Sequence, residues 1–66
     1  MKINGVQKEY PEYLSVSELL LLEGFQKGRV AVELNEEIVA KDTYDEVMVK
    51  DSDVVEIVSF MGGGSR

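Results

Sequence analysis

Few residues in this chain could do chemistry. It has no His and no Cys, which removes the commonest general base, the commonest metal ligand and any thiolate nucleophile. Carboxylates stand close together twice, as Glu36-Glu37 and as Asp51 with Asp53. Such pairs are the minimum for acid–base work or for a hard cation. Both lie in stretches that read as turns, where acidic residues are common for backbone reasons. Tyr10, Tyr13 and Tyr44 have no base partner that the sequence identifies, and packing is the reading for all three. What remains is Gly62-Gly63-Gly64, directly after the apolar run Val54–Met61 and followed only by Ser65 and Arg66. Glycine lacks a Cβ, so such a stretch is either a frayed end or a slender arm that carries a carboxyl group into another protein's site.

The elements that must position those glycines follow from patterning. Asn4-Gly5 is a type I′ hairpin signal between a strand of about residues 1–4 and one from Val6 to Tyr10, where Pro11 ends pairing. Ser15-Val16-Ser17-Glu18 fits a capping box. Val16, Leu19, Leu20 and Glu23 recur at helical spacing, and Gly24 fits the left-handed residue after the helix, so a helix is predicted over 16–23. The run Leu19–Leu22 is read as core. Val30, Val32 and Leu34 alternate with Ala31, Glu33 and Asn35, which predicts a half-buried strand. Asn35-Glu36-Glu37 is a polar turn, Ile38–Ala40 a returning strand, Thr43–Asp45 a single helical turn, and Val47–Val49 a short strand. Asp51–Asp53 is an acidic turn ahead of the long strand Val54–Phe60. That strand is apolar on both faces and suits the interior of a sheet. With one helix to cover one face, the order predicts an α+β fold of the β-grasp (ubiquitin-like) architecture: about five strands in a mixed sheet, the first and last parallel at its centre. A single domain over residues 1–61 would carry a flexible glycine tail over 62–66.

Placing Glu56 outward puts Val54, Val58 and Phe60 on the solvent face and turns Val55, Ile57, Ser59 and Met61 toward the helix. Val58, Phe60 and the adjoining Met61 then form an apolar, partner-binding surface at the root of the tail. Net charge is −6, with 13 acidic and 7 basic residues. That balance disfavours nucleic acid and anionic membrane surfaces, and either steers the domain toward a basic partner or simply keeps it soluble. No span or signal peptide is legible, so a cytoplasmic location is expected.

Two segments carry a resemblance. Val30–Val39, read as VAVELNEEIV, is similar to a VAVELNGEIV segment, and Asp51–Gly64 resembles an ending of the form DGDxVEIVxFVGGG. Both belong to the sulfur carrier proteins of thiamine biosynthesis, the ThiS family, and the resemblance covers essentially the whole chain. It implies a carrier that catalyses nothing itself and needs no cofactor or metal. An E1-like (ThiF-like) adenylyltransferase would adenylate the carboxylate of Gly64. Sulfur from a cysteine desulfurase route would convert it to a thiocarboxylate, and a thiazole synthase (ThiG-like) would take the sulfur. Gly62 and Gly63 would form the arm. The chain has neither a P-loop lysine motif nor a G-x-G-x-x-G, so the activating site would belong to a partner.

One departure stands out. In the family the reactive glycine comes last, whereas here Ser65 and Arg66 follow it. Proteolytic trimming, residues left by cloning, and a copy inactive as a carrier are the three explanations. The expected functional form ends at Gly64. Alternative readings are a molybdopterin synthase small subunit-like carrier, disfavoured because no proline precedes the glycines, a ubiquitin-like protein modifier or interaction module, and a structural β-grasp domain.

Overall fold

A computed structural model describes residues 1–10 and 13–60. Strands β1 (Lys2–Ile3) and β2 (Val6–Gln7) form the opening hairpin. Asn4 and Gly5 both take positive φ, 52° and 83°, as a type I′ turn requires. β2 is shorter than the expected Val6–Tyr10. After the Lys8 N–H donates to the Met1 carbonyl (2.8 Å), the chain turns to the helix, where the Tyr10 hydroxyl donates to the Glu23 carboxylate.

Helix α1 spans Val16–Glu23, as the spacing predicts. Ser15 Oγ accepts from the Glu18 N–H at 3.0 Å, and Glu18 Oε1 accepts from the Ser15 N–H at 2.9 Å. Together these satisfy two of the amide donors that a helix start leaves unpaired. Gly24 closes the helix at φ 86°, its N–H directed to the Leu20 and Leu21 carbonyls. Val16, Leu19 and Leu20 are buried, but Leu21 and Leu22 are 77% and 58% exposed. The four-leucine run is therefore not all core. With 3.6 residues per turn, Leu21 and Leu22 rotate off the stripe that Val16, Leu19 and Leu20 share.

β4 (Val30–Leu34) turns through Asn35 and Glu36 into β5 (Glu37–Ile38), so Glu37 belongs to the strand rather than the turn. The helical turn expected near Thr43 is a 3₁₀ turn at Lys41–Thr43. A small second sheet that the patterning does not announce pairs β3 (Leu14–Ser15) with β6 (Met48–Val49). β7 (Val54–Ser59) is the longest strand. The main sheet runs β2-β1-β7-β4-β5. β7 lies parallel to β1 through Lys2↔Val54 and Ile3↔Val55, and antiparallel to β4 from Val30↔Ser59 to Leu34↔Val55. One helix on one face of this mixed sheet, with the first and last strands parallel at its centre, is the β-grasp arrangement.

The core between sheet and helix holds Ile3, Val32, Val55 and Ile57 from the strands and Val16, Leu19 and Leu20 from the helix. Tyr44 and Val49 are buried in the same cluster. Of the three tyrosines, Tyr44 is buried as expected, while Tyr13 is 67% exposed and does not pack.

Candidate functional site

The site is built on the end of β7, the strand held from both sides. Asn4, from the first turn, uses its side chain as a substitute rung. Its Oδ1 accepts from the Ile57 N–H at 2.7 Å and its Nδ2 donates to the Ile57 carbonyl at 3.2 Å. Asn35, from the β4–β5 turn, does the same on the other side. Its Oδ1 accepts from the Val54 N–H at 2.9 Å, and its own N–H donates to the Val54 carbonyl at 2.8 Å. The sequence marks both asparagines as turn residues. It gives no sign that their amides reach the central strand, because Asn4 and Ile57 are 53 positions apart.

Asp53, one of the carboxylate pair read as a candidate ligand, is a third fastener. It is buried, accepts from the Lys50 N–H at 2.9 Å and from Asn35 Nδ2 at 3.0 Å, and lies 3.7 Å from Lys50 Nζ. Burial pushes its carboxyl up. The Asn35 bond and the Lys50 bonds and charge outweigh that and hold it below the usual carboxylate range. Asp51 stays exposed, 3.8 Å from the N-terminal amine. Glu36 and Glu37 are exposed. No group of three or more His, Cys, Asp or Glu that could hold a metal occurs among the described residues. The expectation that Tyr10 lacks a basic partner is corrected by its bond to Glu23. That bond, in turn, is the main reason the Glu23 carboxyl sits below its ordinary value, against partial burial and with help from Lys8. The contact ties the start of the chain to the helix.

Along β7 the faces alternate as the placement of Glu56 predicts. Val55 and Ile57 are buried, while Val54, Val58 and Phe60 are 42%, 58% and 62% exposed. Ser59, expected to face the helix, is exposed instead. It occupies the last rung, opposite Val30, on the rim of the sheet. Phe60 is fixed by its backbone, its N–H donating to the Arg29 carbonyl at 2.9 Å. Its ring stays open to solvent under the Lys41 ammonium, 5.2 Å from the centroid, a cation–π distance. Met61, Gly62, Gly63 and Gly64 lie outside the described residues. A shallow groove of about 280 Å³ near β5 is lined mainly by apolar side chains such as Leu34, Val39 and Val47, with Glu37 and Thr43 among them.

Fold and site together define a ubiquitin-like domain whose central strand is followed, in sequence, by Gly62-Gly63-Gly64. The ThiS family model matches residues 1–64. The chain belongs to the ThiS family. It is 44% identical to the sulfur carrier protein ThiS of Bacillus subtilis over 65 residues, covering 97% of this chain and 98% of that one. It is 46% identical over 63 residues to a thiazole synthase of Paramagnetospirillum magneticum, covering 96% of this chain but 19% of that protein. The chain thus spans about a fifth of the length of the thiazole synthases it matches. The crystal structure of the thiamine biosynthesis protein ThiS from Geobacter metallireducens superposes with a TM-score of 0.79 at 42% identity, covering 96% of each chain. Among the described residues no helix is long and apolar enough to cross a membrane.

Proposed function

We propose that this chain is a sulfur carrier for thiazole formation in thiamine biosynthesis, and that its working form ends at Gly64. The observation that carries this reading is the family match, which ends at Gly64 and leaves Ser65 and Arg66 beyond it. The carboxylate of Gly64 attacks the α-phosphorus of ATP in the site of an E1-like adenylyltransferase and expels pyrophosphate. The terminal sulfur of a persulfide supplied through a cysteine desulfurase then displaces AMP at the carbonyl carbon, and a second thiol cleaves the resulting acyl disulfide by thiol–disulfide exchange, releasing a thiocarboxylate and a disulfide. A thiazole synthase receives that sulfur. The carrier contributes no catalytic group. Gly62 and Gly63 make an arm without side chains that fits a narrow channel, and Val58, Phe60 and Met61 form the docking surface at its root. All of these steps belong to the cytoplasm.

The test is to incubate the chain ending at Gly64 and the chain ending at Arg66 with the adenylyltransferase, ATP and a sulfur source, and to read thiocarboxylate by intact mass. The shorter form is expected to convert and the longer one not. Equal conversion of both would remove Gly64 from this role. A protein conjugate in place of a thiocarboxylate would make the chain a modifier.

A further inference from the structure

The outer face of the main sheet is open, and its residues can be read off the register. Val58 stands opposite Ala31, Glu56 opposite Glu33, and Glu33 opposite Ile38 on the edge strand. Val54 stands opposite Lys2 on the other side. Glu33 and Glu56 are therefore directly cross-strand on the same exposed face, and neither carboxylate has a hydrogen-bond or ion-pair partner among the described residues. Like charges directly opposite one another destabilise a sheet. Nothing in the fold requires them here, since the register is already fixed by the buried alternation of Val55 and Ile57 and by the Asn4 and Asn35 amides.

The surroundings of the pair point to what it would receive. Val58 and Ile38 are 58% and 78% exposed and Val54 is 42% exposed, so apolar side chains lie beside the two carboxylates. A surface that covers them would exclude water and strengthen any charge brought between them. Two carboxylates fall short of the six or more oxygens of a calcium site. They suit one guanidinium, whose planar fork can donate to both at once, better than a compact ammonium.

We propose that this face docks a thiazole synthase surface that places an arginine between Glu33 and Glu56, with apolar side chains over Val58 and Ile38. The choice of occupant rests on charge complementarity and on relatives in which a domain like this one lies within a thiazole synthase chain. It also rests on the carrier reading above. The unrelieved repulsion in the free carrier is relieved on docking, which ties recognition to charge rather than to apolar area alone.

The test measures binding of the Gly64-terminated carrier to the same organism's thiazole synthase by calorimetry. Glu33→Gln, Glu56→Gln and the double variant are compared with Glu46→Gln, a charge control in the turn before β6. Each single variant on the face is expected to weaken binding about tenfold and the double variant more, with the control unchanged. Thermal midpoints of the free variants should stay level or rise, and the wild-type affinity should fall with salt. Face variants that bind like the control, or a wild type without affinity for the synthase, overturn the proposal. So does a loss confined to adenylation, which would assign the face to the activating enzyme. Thiocarboxylate formation on wild type, read separately, shows whether the carrier reading stands when this one falls.

Discussion

Among the described residues, Glu36 is the one most at odds with its backbone. It holds a φ of 72° at the second position of the β4–β5 turn, in a conformation that costs a residue with a side chain about 1–2 kcal/mol. The equivalent position of the first turn is Gly5, and the family segment that Val30–Val39 resembles carries Gly at this point. Glu36→Gly is therefore expected to stabilise the domain by about 1 kcal/mol, raising the melting temperature by about 4–8 °C. Calorimetric melting of the two proteins decides it. Asp53 sets a different expectation. Its native carboxyl titrates below the ordinary value, so the fold favours the ionised form. That contribution is complete above the ordinary carboxylate range, near pH 4, and is lost as pH falls through the lowered native value. Asp53→Asn should destabilise the protein at neutral pH by about 1–3 kcal/mol and flatten the loss of stability below pH 4. Glu23, also lowered, keeps the flattening incomplete. Thermal melts from pH 7 to pH 2.5 would show both effects. An Asp53→Asn protein with an unchanged acid limb would assign that limb to other carboxylates.

At the scale of elements, legibility follows the range of the interactions involved. α1 is readable to its ends because everything that defines it is local: the Ser15–Glu18 box, the Val16–Leu19–Leu20 stripe and the left-handed Gly24. Ser15→Ala should cost about 1 kcal/mol, visible as a lower midpoint in urea with an unchanged slope. A changed slope would mean that more than the cap is lost. β4 and β7 are readable from period-two alternation, and Glu56 orients the whole of β7. β3 is not readable. Leu14–Ser15 is too short to show a period, and its partner Met48–Val49 lies far along the chain. The exposure of Leu21 and Leu22 is equally hidden, since composition says leucine and only the rotation of an eight-residue helix against the sheet says which leucines are inside. The site divides in the same way. The apolar exit at Val58 and Phe60 follows from alternation, while Asn4, Asn35 and Asp53 act on β7 through contacts that no local pattern records.

At the scale of the molecule, the central strand is fastened through its backbone while the ring of Phe60 at its end stays exposed, and this predicts separable effects. Phe60→Ala removes an exposed ring that lies under the Lys41 ammonium. The melting temperature should barely move, as is usual for an exposed substitution. Adenylation of the Gly64-terminated chain should fall about tenfold in kcat/KM, the scale of one lost interface anchor. Steady-state pyrophosphate release together with a melt distinguishes this from general destabilisation, which would move both. The placement of β7 has a consequence for how the protein is made. The strand at the middle of the sheet also comes after every other element of the described residues, and both of its neighbours wait for it. Until residues 54–59 are synthesised, β1 and β4 have nothing between them, and their edges and apolar faces stay open to other chains. Folding must therefore follow translation of nearly the entire domain, and a product broken off before β7 cannot close its sheet. Quality control is thus built into the order of the strands: a folded domain is one whose translation has already reached the residues just ahead of Gly62-Gly63-Gly64.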